Sequence, residues 1–153
     1  MIRIEPGDLN DPRVIELLTI HVTRARAETA PGSAHALDVE ALRSPAIRFW
    51  VARDEGNALL GVAALKRLSP AHGEVKSMHT AEAARRRGVG GALLRHVIEQ
   101  ARAQGMRRVS LETGSWDYFA PARAFYRRQG FVECEPFGDY VADPNSVYFT
   151  TEL

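Results

Sequence analysis

The stretch Arg85-Arg86-Arg87-Gly88-Val89-Gly90-Gly91 sets three guanidinium groups beside a run of residues with little or no side chain. It opens onto Leu93, Leu94, Val97, Ile98 and Ala101, which recur with Val89 at the spacing of one helix face. A helix N-terminus carries unsatisfied backbone N–H groups and a partial positive charge, and glycine lets an anion reach those amides without meeting a Cβ. The arginines add full charges at the same place. A polyphosphate is the anion that such a cradle suits best, although a lone sulfate or phosphate would also fit.

A loop of this kind needs a strand before it and a packed helix and strand after it. Met1 to Glu5 alternates apolar and polar residues and predicts a first strand closed by Pro6-Gly7. Asp11-Pro12 reads as a cap and a first-turn proline, starting a helix that carries Val14, Leu17, Leu18 and Val22 to about Glu28. After the Pro31-Gly32-Ser33 loop, Asp38 caps a short second helix that ends before Pro45. Residues 47–53 and 59–68 predict two antiparallel strands around the Asp54-Glu55-Gly56-Asn57 turn. Residues 74–80 form a fourth strand feeding the arginine-glycine loop. Gly105 then stops the long helix, and residues 107–113 give a fifth strand. Residues 118–129 carry Phe119, Ala122, Phe125 and Tyr126 on a second amphipathic helix ended by Gly130, and strands at 131–134 and 147–151 complete the chain. The order β α α β β β α β α β β predicts an α/β (α+β) fold, a mostly antiparallel sheet with one parallel crossover around the central helix.

The 153 residues suit a single domain spanning 1–153, and 45% apolar with 25% charged residues fits an ordinary globular chain. No uncharged apolar run approaches the roughly 18 residues that a membrane span needs, and the N-terminus has no secretory pattern. A lone cysteine, Cys134, excludes an internal disulfide framework and favours a reducing, cytoplasmic setting. It lies between Glu133 and Glu135, which disfavours a thiolate, so it is read as a packing residue. With 20 Lys+Arg against 19 Asp+Glu, the net charge of +1 offers no overall field for nucleic acid. The five histidines show no metal-ligand spacing and no cysteine partners, so no metal is expected.

This element order, with Arg85-x-x-Gly88-x-Gly90 at a strand-to-helix turn, resembles the GNAT superfamily of acyl-CoA-dependent N-acyltransferases, in particular its small bacterial acetyltransferases. Ala122-x-x-Phe125-Tyr126-x-x-x-Gly130-Phe131 is similar to the family's second signature, and Gly73-Glu74-Val75-Lys76-Ser77-Met78 to its fourth strand. The resemblance covers about residues 47–135 well and the first 46 by element order alone. It implies a sheet of six to seven strands flanked by about four helices and splayed between strands four and five. It also implies acetyl-CoA as co-substrate, with no metal.

The coenzyme A pyrophosphate would then rest on the amides of Arg86, Arg87, Gly88, Val89, Gly90 and Gly91, assisted by the side chains of Arg85, Arg86 and Arg87. The pantetheine arm would pair with the backbone of Met78, His79 and Thr80. Family members often carry an asparagine seven residues before the tyrosine, where this chain has Phe119, so that contact is absent or falls to another group such as Ser115. Tyr126 resembles the family's general acid. For the base, Glu74 acting through water is favoured, and Glu112 on the facing strand is nearly as good a candidate. The expected reaction is direct transfer in a ternary complex without an acyl-enzyme.

The acceptor is expected to be a small-molecule primary amine. His35, Trp50, Trp116 and Tyr140 are candidates for its pocket, and Glu28, Asp117, Asp139 and Asp143 are acids that would attract a cation. A homodimer follows by family analogy only. Two other readings stay open. A dinucleotide-dependent oxidoreductase would want a third glycine where Leu93 stands. A non-catalytic acyl-CoA-binding regulatory module would use the same fold without the chemistry.

Overall fold

The structure, a computed structural model, describes residues 1 to 153. The strands are β1 (Arg3–Pro6), β2 (Ile47–Arg53), β3 (Leu59–Ser69), β4 (His72–Thr80), β5 (Arg108–Gly114), β6 (Val132–Cys134) and β7 (Ser146–Glu152). The helices are α1 (Pro12–Ala27), α2 (Val39–Leu42), α3 (Val89–Ala103) and α4 (Ala120–Arg128). The expected order of elements is therefore present throughout. Asp11 caps α1 by accepting from the Arg13 amide at 2.9 Å, and Asp38 caps α2 by accepting from the Ala41 amide at the same distance. The second amphipathic helix begins later than its periodicity implies. Asp117–Phe119 form a turn of 3₁₀ helix, and Pro121, which has no N–H to donate, sits in the first turn of α4.

The seven strands lie in the order β1-β2-β3-β4-β5-β7-β6. Every neighbouring pair is antiparallel except β4 and β5, the pair joined by the α3 crossover. On one face α1 and α2 bury Val14, Leu17, Leu18 and Leu42 against Phe49, Val51 and Val62. On the other, α3 buries Leu93, Leu94 and Val97 in a larger cluster with Val109, Leu111, Tyr126 and Phe149. Each such fully buried aliphatic side chain is worth about 1.5–3 kcal/mol relative to its exposed state.

Two irregularities in β4 open the middle of the sheet. The strand pairs with β5 only at residues 72–74 opposite 108–110, and beyond that point the two strands diverge while each stays bonded to its outer neighbour. The inner edges of Val75–Thr80 and Leu111–Gly114 are thus left open as the two sides of a wedge. In addition, Val62 pairs with His79 while Ala64 pairs with Lys76, so Ser77 and Met78 together oppose the single residue Ala63. This is a β-bulge, and Ser77 takes up its extra residue at φ 54°. The bulge reverses the side-chain alternation, so His79 emerges on the α1 face with Lys76, while Val75 and Met78 pack into the α3 core.

Candidate active site

The α3 entrance has the form of an anion cradle. Gly88 precedes the helix at φ 78° and Arg86 at φ 66°, both left-handed, so the loop coils backbone rather than side chains around its centre. The amides of residues 86 to 91 donate to no carbonyl of the chain, whereas the Arg85 amide is bonded to Glu82 and the Ala92 amide to Gly88. A Cβ on Gly90 would stand in ordinary contact with Phe125, 3.5 Å away. Glycine there keeps the amides bare rather than relieving a clash. The side chains of Arg85, Arg86 and Arg87 are exposed and Val89 is buried in the core, so Val89 has only its backbone to offer. Gly91, like Gly90, lies in the first turn of α3.

The wedge encloses a cavity of about 340 Å³, walled by Val75–Thr80 on one side and Leu111–Gly114 on the other. Met78, His79, Thr80 and Arg85 lie along it, as the resemblance implies for the cofactor-bearing strand. Tyr126 reaches it from α4. Its ring is held edge-on by Phe125 and Phe131, at 5.3 and 5.9 Å, and burial pushes its phenol above the usual tyrosine value. Glu112 reaches the cavity from β5. Its neighbour Leu111 sits in the α3 core with Tyr126, so alternation turns Glu112 to the opposite face of the sheet. Burial pushes the Glu112 carboxyl above the usual range, and a 2.8 Å hydrogen bond donated by Ser146 Oγ pulls part of the way back. The acid and the base candidate thus flank the wedge from its two faces.

Glu74 is placed differently. It is 2% exposed and does not line the cavity. Its Oε2 accepts from Tyr140 Oη at 2.5 Å and lies 3.4 Å from Lys76 Nζ, which also donates to Tyr140 Oη and to the His35 carbonyl. Lys76 is buried with this carboxylate and Tyr140 is half-buried, so its Oε2 is committed to a structural network. Tyr140 belongs to the same network and anchors the β6–β7 loop to β4, while His35 lines the cavity.

The remaining candidates sit elsewhere. Trp50 is buried in the α3 core against His96, its ring 5.2 Å away. Trp116 is 41% exposed and donates Nε1–H to Asn145. Ser115 Oγ is committed to the Pro144 carbonyl at 2.7 Å and does not line the cavity. None of Glu28, Asp117, Asp139 and Asp143 lines it either. Phe119, the departure from the family pattern, lies flat against Gly114, where any Cβ would collide with its ring, and it forms part of the cavity wall. Lys76, Ser77 and His21 also border the cavity. Nothing local in the sequence marks these three, because their contacts lie far away in the chain. No cluster of three or more His, Cys, Asp or Glu side chains is arranged to hold a metal, and no helix is long and apolar enough to cross a membrane.

Comparison with known proteins agrees with this geometry. Residues 14–131 match the model of the acetyltransferase (GNAT) family. The chain is 47% identical over 150 residues to the uncharacterized N-acetyltransferase YsnE of Bacillus subtilis, covering 98% of this chain and 99% of that one. It is 40% identical over 121 residues to the IAA acetyltransferase of Azospirillum brasilense, covering 79% and 78%. A solved GNAT acetyltransferase of Elizabethkingia anophelis with acetyl-CoA bound superposes at a TM-score of 0.72, with 19% identity and 99% of this chain covered, which shows a shared fold. Together these matches set aside the oxidoreductase and purely regulatory readings: the chain belongs to the GNAT family of acetyltransferases, which use acetyl-CoA.

Proposed function

We propose that this protein acts as one domain spanning residues 1–153 and transfers an acetyl group from acetyl-CoA directly to a primary amine of a small molecule. The observation that carries the reading is the row of unbonded amides at residues 86–91, which opens into a wedge with Tyr126 on one face and Glu112 on the other. Acetyl-CoA, when bound, supplies the acyl thioester. Arg85, Arg86, Arg87 and those amides are the groups that would hold its diphosphate. The open backbone edge at Met78, His79 and Thr80 suits an extended amide-bearing arm.

Glu112 takes a proton from the acceptor nitrogen, directly or through one water, so that the nitrogen attacks as a neutral nucleophile. A carboxyl raised by burial suits that task at neutral pH better than an ordinary surface glutamate. Tyr126 holds a proton at Oη for the departing sulfur. Glu74, locked to Lys76 and Tyr140, supports the wall instead of acting as base. A homodimer and a cytoplasmic setting complete the proposal, resting on the resemblance and on the single cysteine respectively. Thiol release from acetyl-CoA, measured with a panel of primary amines and, separately, with IAA, tests the activity. Acceptor-dependent release with an N-acetylated product is expected, and tight acetyl-CoA binding with no turnover on any acceptor would refute it.

A further inference from the structure

His21 on α1 and His79 on β4 meet in the cavity wall with their Nδ1 atoms 3.2 Å apart and their rings 5.0 Å apart. The bulge at Ser77 is what brings them together, because without it His79 would point into the α3 core. Two imidazoles joined in this way must use one Nδ1–H as donor and one bare Nδ1 as acceptor. Whichever ring donates, one Nε2–H and one bare Nε2 are left for a ligand. Burial first holds both rings down to about 4, followed for His21 by the His79 ring and Lys76 and for His79 by Arg85 and Arg24, so the pair is neutral at neutral pH. The fixed charges acting on the pair are all cationic: Lys76 from β4 on His21, and Arg85 from the loop and Arg24 from α1 on His79.

The whole cavity wall shares this bias. Its fixed cations are Lys76 and Arg85, its three imidazoles are His21, His35 and His79, and Glu112 is its sole acid. The loop acids that the sequence offered for a cationic acceptor lie away from it. Glu112 is accounted for by the proton it must take, which leaves the free imidazole N–H of the pair as a donor with no acidic acceptor on the cavity wall. We propose that the acceptor carries a carboxylate in addition to its amine, and that the His21–His79 pair, with Lys76 beside it, receives that carboxylate while the amine faces Glu112. The acceptor class is then that of amino acids and related small zwitterions. This assignment rests on the acetyl-transfer reading and narrows it. The Lys76 ammonium is already paired with Glu74 at 3.4 Å and bonded to the His35 carbonyl and to Tyr140, so the direct bond to the carboxylate falls to the imidazole N–H.

The test compares three matched acceptors at saturating acetyl-CoA: an amino acid, its carboxamide and the amine left by its decarboxylation. The amino acid is expected to show a kcat/KM at least about tenfold higher than either, since a site built to bind a charged group penalises a ligand lacking it. Equal or lower kcat/KM for the amino acid overturns the proposal even if all three are acetylated. Turnover of none of them, or of any other amine, removes the acetyl-transfer reading and this one with it. His21→Leu is expected to raise the KM for the amino acid and erase its advantage, with the KM for acetyl-CoA unchanged. His21→Asn, which keeps an N–H, is expected to restore part of the advantage. An advantage that survives His21→Leu undiminished overturns the assignment to the imidazole pair. The wild-type comparison stands without either variant should one of them fold poorly.

Discussion

Replacing Tyr126 by Phe removes one oxygen and leaves the ring in place, which makes it the sharpest probe of the proposed chemistry. The aromatic contacts with Phe125, Phe131 and Phe149 are retained, and burial is the only influence on the phenol, with no hydrogen bond among its causes. Deleting the hydroxyl of a cavity-lining tyrosine that makes no hydrogen bond within the chain should therefore alter folding stability by no more than about 0.5 kcal/mol. Loss of a positioned general acid costs on the order of 10² or more in turnover, equivalent to about 2.7 kcal/mol of transition-state stabilisation. The two magnitudes separate a catalytic tyrosine from a core one. The assay is steady-state thiol release with varied acetyl-CoA, run beside a denaturant melt. The expected result is a fall in kcat of about 10² or more with the KM for acetyl-CoA and the melt little changed. An unchanged kcat would remove Tyr126 from the mechanism, and a parallel loss of stability would reduce its role to packing.

Further outcomes rest on the same geometry. Glu112→Gln keeps an acceptor for Ser146 Oγ but cannot take a proton, so kcat should fall by about 10². Glu74→Gln should leave the acid limb of the pH–rate profile intact while destabilising the Lys76–Tyr140 network, and the opposite ranking of the two variants in kcat would restore Glu74 as base. Because the Glu112 carboxyl is raised in the folded state, wild-type stability is favoured at low pH and declines as pH rises through that value, so Glu112→Gln should melt later than wild type near neutrality. His21 behaves in the reverse sense. With its folded value near 4 against 6.5, its contribution is full above about 6.5 and is lost as pH falls toward about 4, so His21→Leu should show a flatter acid slope in urea melts. Gly90→Ala has room for its methyl 3.5 Å from Phe125 and gains about 0.5–1 kcal/mol of helix propensity, yet it places a methyl beside the cradle. A melt at least as high as wild type, with KM for acetyl-CoA raised about tenfold, is expected; an unchanged KM would argue that the anion sits elsewhere.

The sequence announced most of the scaffold because its signals are local. Asp11-Pro12, Asp38, Gly105 and Gly130 stand where they cap or stop helices, and the arginine-glycine turn lies at the mouth of α3. What stayed hidden depends on long-range contact or on broken periodicity. Trp50 lies in a run of β2 that is buried on both faces, so no alternation could reveal that it points away from the cavity. The commitment of Glu74 to Tyr140 spans 66 positions, and no nearby residue signals it. The His21–His79 pair spans 58 positions and depends on the bulge at Ser77, a residue at positive φ with a buried hydroxyl that has no partner. A strict two-residue repeat places His79 on the wrong face of β4, and a search of the histidines for helical spacing cannot find a pair formed between a helix and a strand.

Isothermal titration of the protein with acetyl-CoA tests the central claim most directly, because the cradle at the mouth of α3 is the feature on which cofactor, wedge and chemistry all depend. Saturable binding of one acetyl-CoA per chain is expected, weakened in the Gly90→Ala protein and competed by inorganic pyrophosphate. Absence of heat and of saturation at millimolar ligand would contradict it.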